Sequence, residues 1–364
     1  MHARPPAPLS RVQTSFHTLV MAVMLAVLLG WLLKIGQAIL LPVFSAVIVA
    51  YVLVTSVQAM QRLPIVGQWP AWLRQALVLT LFTLALLALA AVVAITVDEL
   101  LAALPRYEAN LQRLLGTLTT ALGLEHRTDW QSLRATTLDK LDLQALAVSL
   151  LGSLGAAAGM VFLIVVYTAF LMSERSGFAH KLATALPGHS AARTQAIIAD
   201  INQRIGQYLS VKTLVNVILA ALSFAVLKLF GVDFALFWAL LIGLLHYIPY
   251  IGSAVGVALP VLLTLAQFGS LGTTLVIAAL LLAIQAVVGN LVEPRMVGKQ
   301  VNLSPFVVML ALSIWSALWG VAGAILAIPL TSMLAIVLAS FVPTRPLAVL
   351  LADDVDVYAH ELNA

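Results

Sequence analysis

The sequence predicts an all-α, polytopic membrane protein with about seven or eight transmembrane helices. Of its 364 residues, 62% are hydrophobic and only 9% are charged, whereas soluble domains carry about 25% charged residues. The hydrophobic residues form separate runs, most of them near the ~20 residues that a helix needs to cross the hydrocarbon core. Two runs in the C-terminal half are interrupted by Gly and Pro. These interruptions predict two broken helical hairpins, either spanning or re-entrant.

Composition also excludes several kinds of site. The chain contains no cysteine, so disulfides, thiolate metal ligands and cysteine nucleophiles are all excluded. It has neither a GxxxxGK[ST] nor an HExxH motif, which argues against an ATP-driven pump and a zinc peptidase within this chain. We therefore predict no cofactor, no metal site and no enzymatic activity. The net charge of +4 fits basic cytoplasmic loops, so we predict membrane lipid and no nucleic acid as a partner.

The N-terminal half predicts a tail, three spans and a polar segment. Residues 1–15 form a cytoplasmic tail, and residues 16–97 contain apolar runs at 16–33, 36–60 and 73–97. Residues 98–150 are the only long polar stretch, with Tyr107, Leu111 and Leu115 at helical spacing on one face. This pattern predicts a periplasmic amphipathic helix that lies on the membrane or packs on a neighbour.

The C-terminal half, residues 151–341, predicts a transport core. Its first span, 151–172, contains Gly155 and Gly159, a spacing that favours close helix contact and a homo-oligomer. Residues 173–212 are basic and predict a cytoplasmic amphipathic segment that leads into the span 213–230. Asp233, beyond that span, is expected to be solvated. The remaining runs lie at 234–247, 254–267, 271–292, 306–318 and 324–341, before an acidic tail at 342–364.

The basic residues predict the orientation of the chain. With the N-terminus inside, most of the 19 Lys and Arg residues lie on the cytoplasmic side. Both termini are therefore predicted to be cytoplasmic.

The two interrupted segments are the first candidates for a functional site. Each segment has the pattern of a half-helix, a glycine-containing break and a second half-helix with a proline. The candidate residues of the first segment are Pro249, Tyr250, Gly252 and Gly256, and those of the second are Gly320, Gly323 and Pro329. Broken helices in corresponding positions predict an inverted repeat with a binding site where they meet. The alternative is that any apolar hairpin with Gly and Pro would give this pattern.

A short charged stretch between these segments is the second candidate. It contains Asn290, Glu293, Pro294 and Arg295 at the end of an apolar run. Such charges mark a membrane boundary or a function, and Pro294 forbids a regular helix at that point. We predict a coupling or gating role for Glu293 and interpret Arg295 as a boundary residue that reaches water. His246 is predicted to be buried, hydrogen-bonded and neutral.

Three motifs resemble the autoinducer-2 exporter family of bacterial permeases. They are YIPYIG at 247–252 with Gly256 and Pro260, NLVEPRMVG at 290–298 with the sequence LSP at 303–305, and WGVAG at 319–323 with AIPL at 327–330. Ser253 and Ala324 depart from the family pattern. The resemblance implies an inner-membrane secondary transporter. Some members resemble exporters of the quorum-sensing signal, and others are similar to sodium(lithium)/proton antiporters.

Three functional hypotheses are consistent with these observations. The first is a secondary transporter that exports a small polar solute, such as a quorum-sensing autoinducer, between the breaks at 249–252 and 320–323. The second is an antiporter in which Glu293 alternates between a proton and a monovalent cation, which needs oxygen ligands. The third is a non-transporting membrane scaffold built on the helices of segments 98–150 and 173–212.

Overall fold

The fold is entirely helical in the residues that the computed structural model describes, which are 11–121, 143–185, 187–297 and 301–355. In chain order the helices are α1 (Arg11–Ile35), α2 (Gln37–Met60), α3 (Ala71–Ala121), α4 (Leu143–Ala185), α5 (Gly188–Leu229), α6 (Ala235–Leu245), α7 (Ile251–Phe268), α8 (Leu271–Val287), α9 (Glu293–Val297), α10 (Pro305–Ala339) and α11 (Arg345–Leu351). A 3-10 turn at Val66–Gln68 lies between α2 and α3. Within the described ranges, 7 helices are long and apolar enough to cross a membrane. The predicted all-α membrane fold is thereby confirmed.

Helix α3 runs without a break past residue 98, where the polar segment begins. It contains 51 residues, a length of about 75 Å at 1.5 Å per residue. Tyr107, on the predicted apolar stripe, is buried against Leu227 and Val232. The polar end of α3 thus packs on a neighbouring part of the chain. Residues 122–142 of segment 98–150 lie outside the described residues.

Helix α5 is the central element of the fold. It contacts α2, α4, α6, α8, α9 and α10. Its basic first part comes from segment 173–212, yet Ile205 and Leu209 are buried there in a cluster with Trp319 of α10. One continuous helix therefore joins the amphipathic segment to the following span.

Helices α6 and α7, joined by residues 246–250, form what we call the first hairpin. Ile242 on α6 lies against Gly256 on α7, and a Cβ atom at Gly252 would overlap the carbonyl oxygen of Leu245. Only glycine fits such a close backbone approach. Tyr250 in the link has a positive φ of 61°, so the chain turns sharply between the two helices.

Helix α10 folds back on itself and forms the second hairpin. Its backbone is non-helical at Trp319 and Gly320. Trp315 Nε1 donates to Thr331 Oγ1 at 3.1 Å, although a straight helix would hold these residues about 24 Å apart. A Cβ atom at Gly323 would overlap the carbonyl oxygen of Trp315. The turn therefore lies at the start of the predicted break. Gly323 permits the second half of α10 to pass close to the backbone of the first half. Re-entrant placement of either hairpin stays a prediction.

The two hairpins touch through the link of the first. Ile248 packs on Ala311 and Leu312 of one half of α10 and on Ala324 and Ala327 of the other. The tip of the second hairpin meets the turn between α1 and α2, where Lys34 Nζ donates to the carbonyl oxygen of Leu318 at 2.7 Å. Lysine satisfies a carbonyl that the broken helix leaves without an intrahelical partner.

Candidate functional site

A carboxylate, an ammonium and an imidazole meet where the tip of the first hairpin touches α5. Lys212 Nζ donates to Glu293 Oε1 at 2.5 Å, and His246 Nε2 lies 3.1 Å from Glu293 Oε2. Ser253 Oγ lies 3.4 Å from His246 Nδ1. These four residues form the Glu293 cluster, to which α5, the first hairpin and α9 each contribute.

A π turn points Glu293 toward α5. Residues Thr274, Ile277, Leu281 and Val288 mark the buried face of α8. On a regular helix Glu293 would point about 130° away from that face. The π turn at Val288–Val292 adds one residue and rotates the next part of the helix back by about 100°. Glu293 therefore faces the interior of the fold because of this local irregularity, a feature common at functional sites.

The helix continues through Pro294. Helix α9 is regular from Glu293 to Val297, so the irregularity that the sequence predicted at Pro294 lies just before it. A proline ring clashes with the carbonyl of the residue four positions earlier in a regular helix, and that residue, Asn290, lies within the π turn. Asn290, Pro294 and Arg295 all retain access to the surface of the chain.

The Glu293 cluster combines opposite charges in a largely buried place. The side chains of Lys212 and His246 are 4% and 7% exposed, and that of Glu293 is 25% exposed. An unpaired charge in such a place is costly, and removal of one partner of a buried pair costs about 3–5 kcal/mol. Lys212 and Glu293 therefore stabilise each other, and the cluster presents charges to its surroundings without a large net charge.

Two further amides, one on α5 and one on α8, lack hydrogen-bond partners among the described residues. Asn216, one turn beyond Lys212 on α5, is 4% exposed. Within the described residues, its side-chain nitrogen and oxygen make no hydrogen bond, and neither do those of Gln285 on α8. Buried amides without partners are unfavourable in a static structure, so they offer hydrogen bonds to a solute or water.

A second polar network fixes the base of the first hairpin to α3. Asp233 pairs with Arg106 and accepts a hydrogen bond from Tyr107 at 2.8 Å. Asn110 Nδ2 donates to the carbonyl oxygen of Gln267 at 2.5 Å. Asp233, which the sequence predicted to be solvated, is 26% exposed, because the polar end of α3 partly covers it.

Comparison with known proteins identifies the family. The sequence profile of AI-2E family transporters matches residues 19–342. The chain belongs to the AI-2E transporter family. It is 30% identical over 326 residues to the AI-2 transport protein TqsA of Escherichia coli K12, with 88% of this chain and 91% of TqsA covered. It is 28% identical over 325 residues to a candidate transport protein of Haemophilus influenzae, with 88% and 92% covered. Over 244 residues it is 30% identical to the candidate transport protein YhhT of Escherichia coli K12, with 66% and 68% covered.

These matches confirm the predicted resemblance. The protein is a multi-pass membrane transporter of a bacterial permease family. Among the described residues, no group of three or more His, Cys, Asp or Glu side chains could hold a metal ion.

The predicted site residues of this AI-2E family transporter occupy different places. Gly252, Gly256, Gly323 and Pro329 are buried inside the two hairpins. Pro249 and Tyr250 lie in the link of the first hairpin, where Tyr250 is 61% exposed. Gly320 lies at the other tip, beside the turn between α1 and α2. Glu293 alone among the predicted residues joins the charged cluster, and its partners are Lys212 and His246 rather than Arg295.

Sequence reasoning missed Lys212 and counted it among the cytoplasmic basic residues. The sequence nevertheless indicated that Lys212 lies on an apolar helical face. Ile205 and Leu209 precede Lys212 by seven and three residues and lie on the same face. A lysine on an apolar face needs a buried counter-charge. Glu293 is the only acidic residue between Asp233 and Asp353 in the sequence, so it was the obvious candidate from the C-terminal half.

Proposed function

We propose that this AI-2E family transporter exports a small polar solute across the bacterial inner membrane, with both termini in the cytoplasm. The Glu293 cluster carries this proposal. It places donors and acceptors of hydrogen bonds in a largely buried position at the tip of a broken hairpin. Such groups replace the hydrogen bonds to water that a polar solute loses when it enters a membrane. Since TqsA is named as an AI-2 transport protein, a quorum-sensing autoinducer is the proposed substrate.

The proposed path passes between residues 249–252 of the first hairpin and residues 320–323 of the second. The contacts of Ile248 with both halves of α10 support it, because they bring the first tip against the second hairpin. Asn216 supports it too, since its amide, which makes no hydrogen bond within the described residues, lies one turn from Lys212. Glu293 lies about 33 Å along its helix from Leu271, a distance that fits the cytoplasmic side of the path in the proposed orientation.

Sodium(lithium)/proton antiport at Glu293 is the alternative. His246 within hydrogen-bonding distance of the carboxylate favours it, because the two groups can share a proton. Lys212 argues against it, since its ammonium already neutralises Glu293 at 2.5 Å. A cation would have to displace this ammonium and find further oxygen ligands. The scaffold hypothesis is weaker than both, because the family consists of transporters.

Transport in proteoliposomes with Glu293→Gln, Lys212→Met and the double variant separates the two mechanisms. For solute export, each single variant should slow transport by leaving one charge unpaired, and the double variant should recover because the cluster is neutral again. For antiport, Glu293→Gln should abolish exchange driven by a sodium or pH gradient, and the second substitution should not restore it.

A matched control is the exposed pair Glu174 and Lys181, with side chains 63% and 67% exposed. Glu174→Gln and Lys181→Met should leave transport unchanged under either mechanism. Normal transport in all the Glu293 and Lys212 variants would place the path elsewhere in the chain. No transport of any solute or ion by the unmodified protein would favour the scaffold.

A further inference from the structure

A polar cleft lies between α2 and α5, on the far side of α5 from the Glu293 cluster. Its volume is about 360 Å³, and it is lined by Tyr51, Val54, Thr55, Gln58, Ala199, Asn202, Gln203 and Gln207. Gln207 and Lys212 point about 140° apart around the helix axis. Sites for small molecules have volumes of about 300–1,000 Å³, so the cleft is large enough for a small ligand and separate from the charged cluster.

Among the described residues, the lining of the cleft is rich in hydrogen-bonding groups and contains no charge. Four of its side chains are amides, and no hydrogen bond within the described residues engages those of Gln58, Asn202, Gln203 and Gln207. An amide both donates and accepts hydrogen bonds, which matches a hydroxyl group. The nearest charges on α5, Asp200 and Arg204, pair with each other at 2.6 Å. A charged ligand would therefore find no free counter-charge among the described lining residues.

We propose that this cleft binds a neutral, polyhydroxylated small molecule and is the cytoplasmic loading site of the transporter. The position of the cleft supports the loading role. Gln58 lies near Met60, the last residue of α2, and this end of α2 faces the cytoplasm in the proposed orientation. A phospholipid headgroup fits less well, since none of the described lining residues is a cation that would pair with its phosphate. The loading role rests on the proposed export function, whereas binding itself does not.

Protection of a single thiol from labelling tests the binding. The chain has no cysteine, so Ala199→Cys places one reporter at the edge of the cleft in the full-length purified protein. D-ribose, a neutral pentose, should slow reaction of this thiol with a maleimide in a saturable way. Ribose 5-phosphate and glucosamine, which carry charges, should protect much less.

Substitution of the lining amides then locates the site. In the Ala199→Cys background, Gln58→Leu and Gln207→Leu should each raise the D-ribose concentration for half protection by about tenfold. Gln112→Leu, which removes an exposed amide on α3, should leave it unchanged. Absence of protection, equal protection by ribose 5-phosphate, or unchanged protection in the leucine variants would overturn the proposal. A thiol that does not react even without sugar would show that lipid or a second copy fills the cleft, and would overturn it too.

Transport assays distinguish this proposal from the export function. If Gln58→Leu and Gln207→Leu lose protection and slow export from proteoliposomes, the cleft is the loading site. If they lose protection but export continues at the normal rate, the loading role is wrong and the export function stands. If D-ribose protects the Ala199→Cys protein but the unmodified protein moves no solute, the binding site stands and the export function is wrong.

Discussion

The two hairpins share a backbone design but differ in what their tips contact. In each, a glycine presses against a carbonyl oxygen of the preceding half, Gly252 against Leu245 and Gly323 against Trp315. The first tip brings His246 to Lys212 and Glu293. The second tip carries Trp319, buried in an apolar cluster and held to the α1–α2 turn. The broken helix is thus a common scaffold, and chemical capability depends on the residues around its tip.

The largest expected difference between the two hairpins is the side of the membrane on which each hairpin base lies. Asn110 holds the base of the first hairpin, whereas Ser304 N donates to Leu351 O at the base of the second. If the hairpins are inverted, neighbouring single cysteines at Gln112→Cys and Leu350→Cys lie on opposite sides of the membrane. An impermeant maleimide should label only Gln112→Cys in intact spheroplasts. Labelling of both single-cysteine variants from outside would show that the two hairpins are not inverted relative to each other.

Alanine at the two tip glycines tests the shared scaffold. Gly252→Ala and Gly323→Ala should each lower the free energy of unfolding by about 3 kcal/mol or more, because the new methyl group meets backbone that cannot move aside. Gly116→Ala is the control, since nothing lies within 4 Å of its Cβ position, and it should stabilise the helix slightly. Thermal unfolding in detergent measures all three. A large loss at only one of the two tips would show that the hairpins are built differently.

The two lysines at the tips should differ in energy. Lys212→Met should cost about 3 kcal/mol, because it leaves the partly buried carboxylate of Glu293 unpaired. Lys34→Met should cost about 1 kcal/mol, since Lys34 donates to backbone carbonyls in an exposed contact. Unfolding in detergent compares the two variants, and adding Glu293→Gln should recover most of the loss only for Lys212→Met. An equal decrease in the free energy of unfolding for Lys212→Met and Lys34→Met would contradict the difference between a charged first tip and an apolar second tip.

The smallest change in stability is expected at the two glycines of α4. Nothing lies within 4 Å of a Cβ atom at Gly155 or Gly159, so we propose that this face packs between subunits of a homo-oligomer. Gly155→Leu should change the stability of the single chain by less than about 1 kcal/mol. It should shift the oligomer size measured by light scattering in detergent. An unchanged size would mean that the small-residue face has no role in assembly.

Much of the fold could be predicted from the sequence because hydropathy determines where helices cross a membrane. The positions of both breaks could also be predicted from local chemistry, since Gly320 and the 249–252 stretch disfavour a continuous helix. What the sequence did not show depends on the three-dimensional arrangement. Lys212 and Glu293 are 81 residues apart, and a π turn decides which way Glu293 points. Asp233 looked solvated because its cover, Arg106 and Tyr107, comes from a distant helix.

The unbroken course of α3 ties bilayer thickness to the first hairpin. A transmembrane helix adjusts its tilt to the hydrophobic thickness around it. Although Pro105 lies inside α3, the 51 residues form one continuous helix, so a tilt of its lipid-facing half carries the aqueous half with it. Arg106 lies about 50 Å along the axis from Ala71, so a tilt of about 5° moves it sideways by about 4 Å. Arg106 contacts Asp233 at the base of the first hairpin, so a change in membrane thickness that tilts α3 displaces this contact.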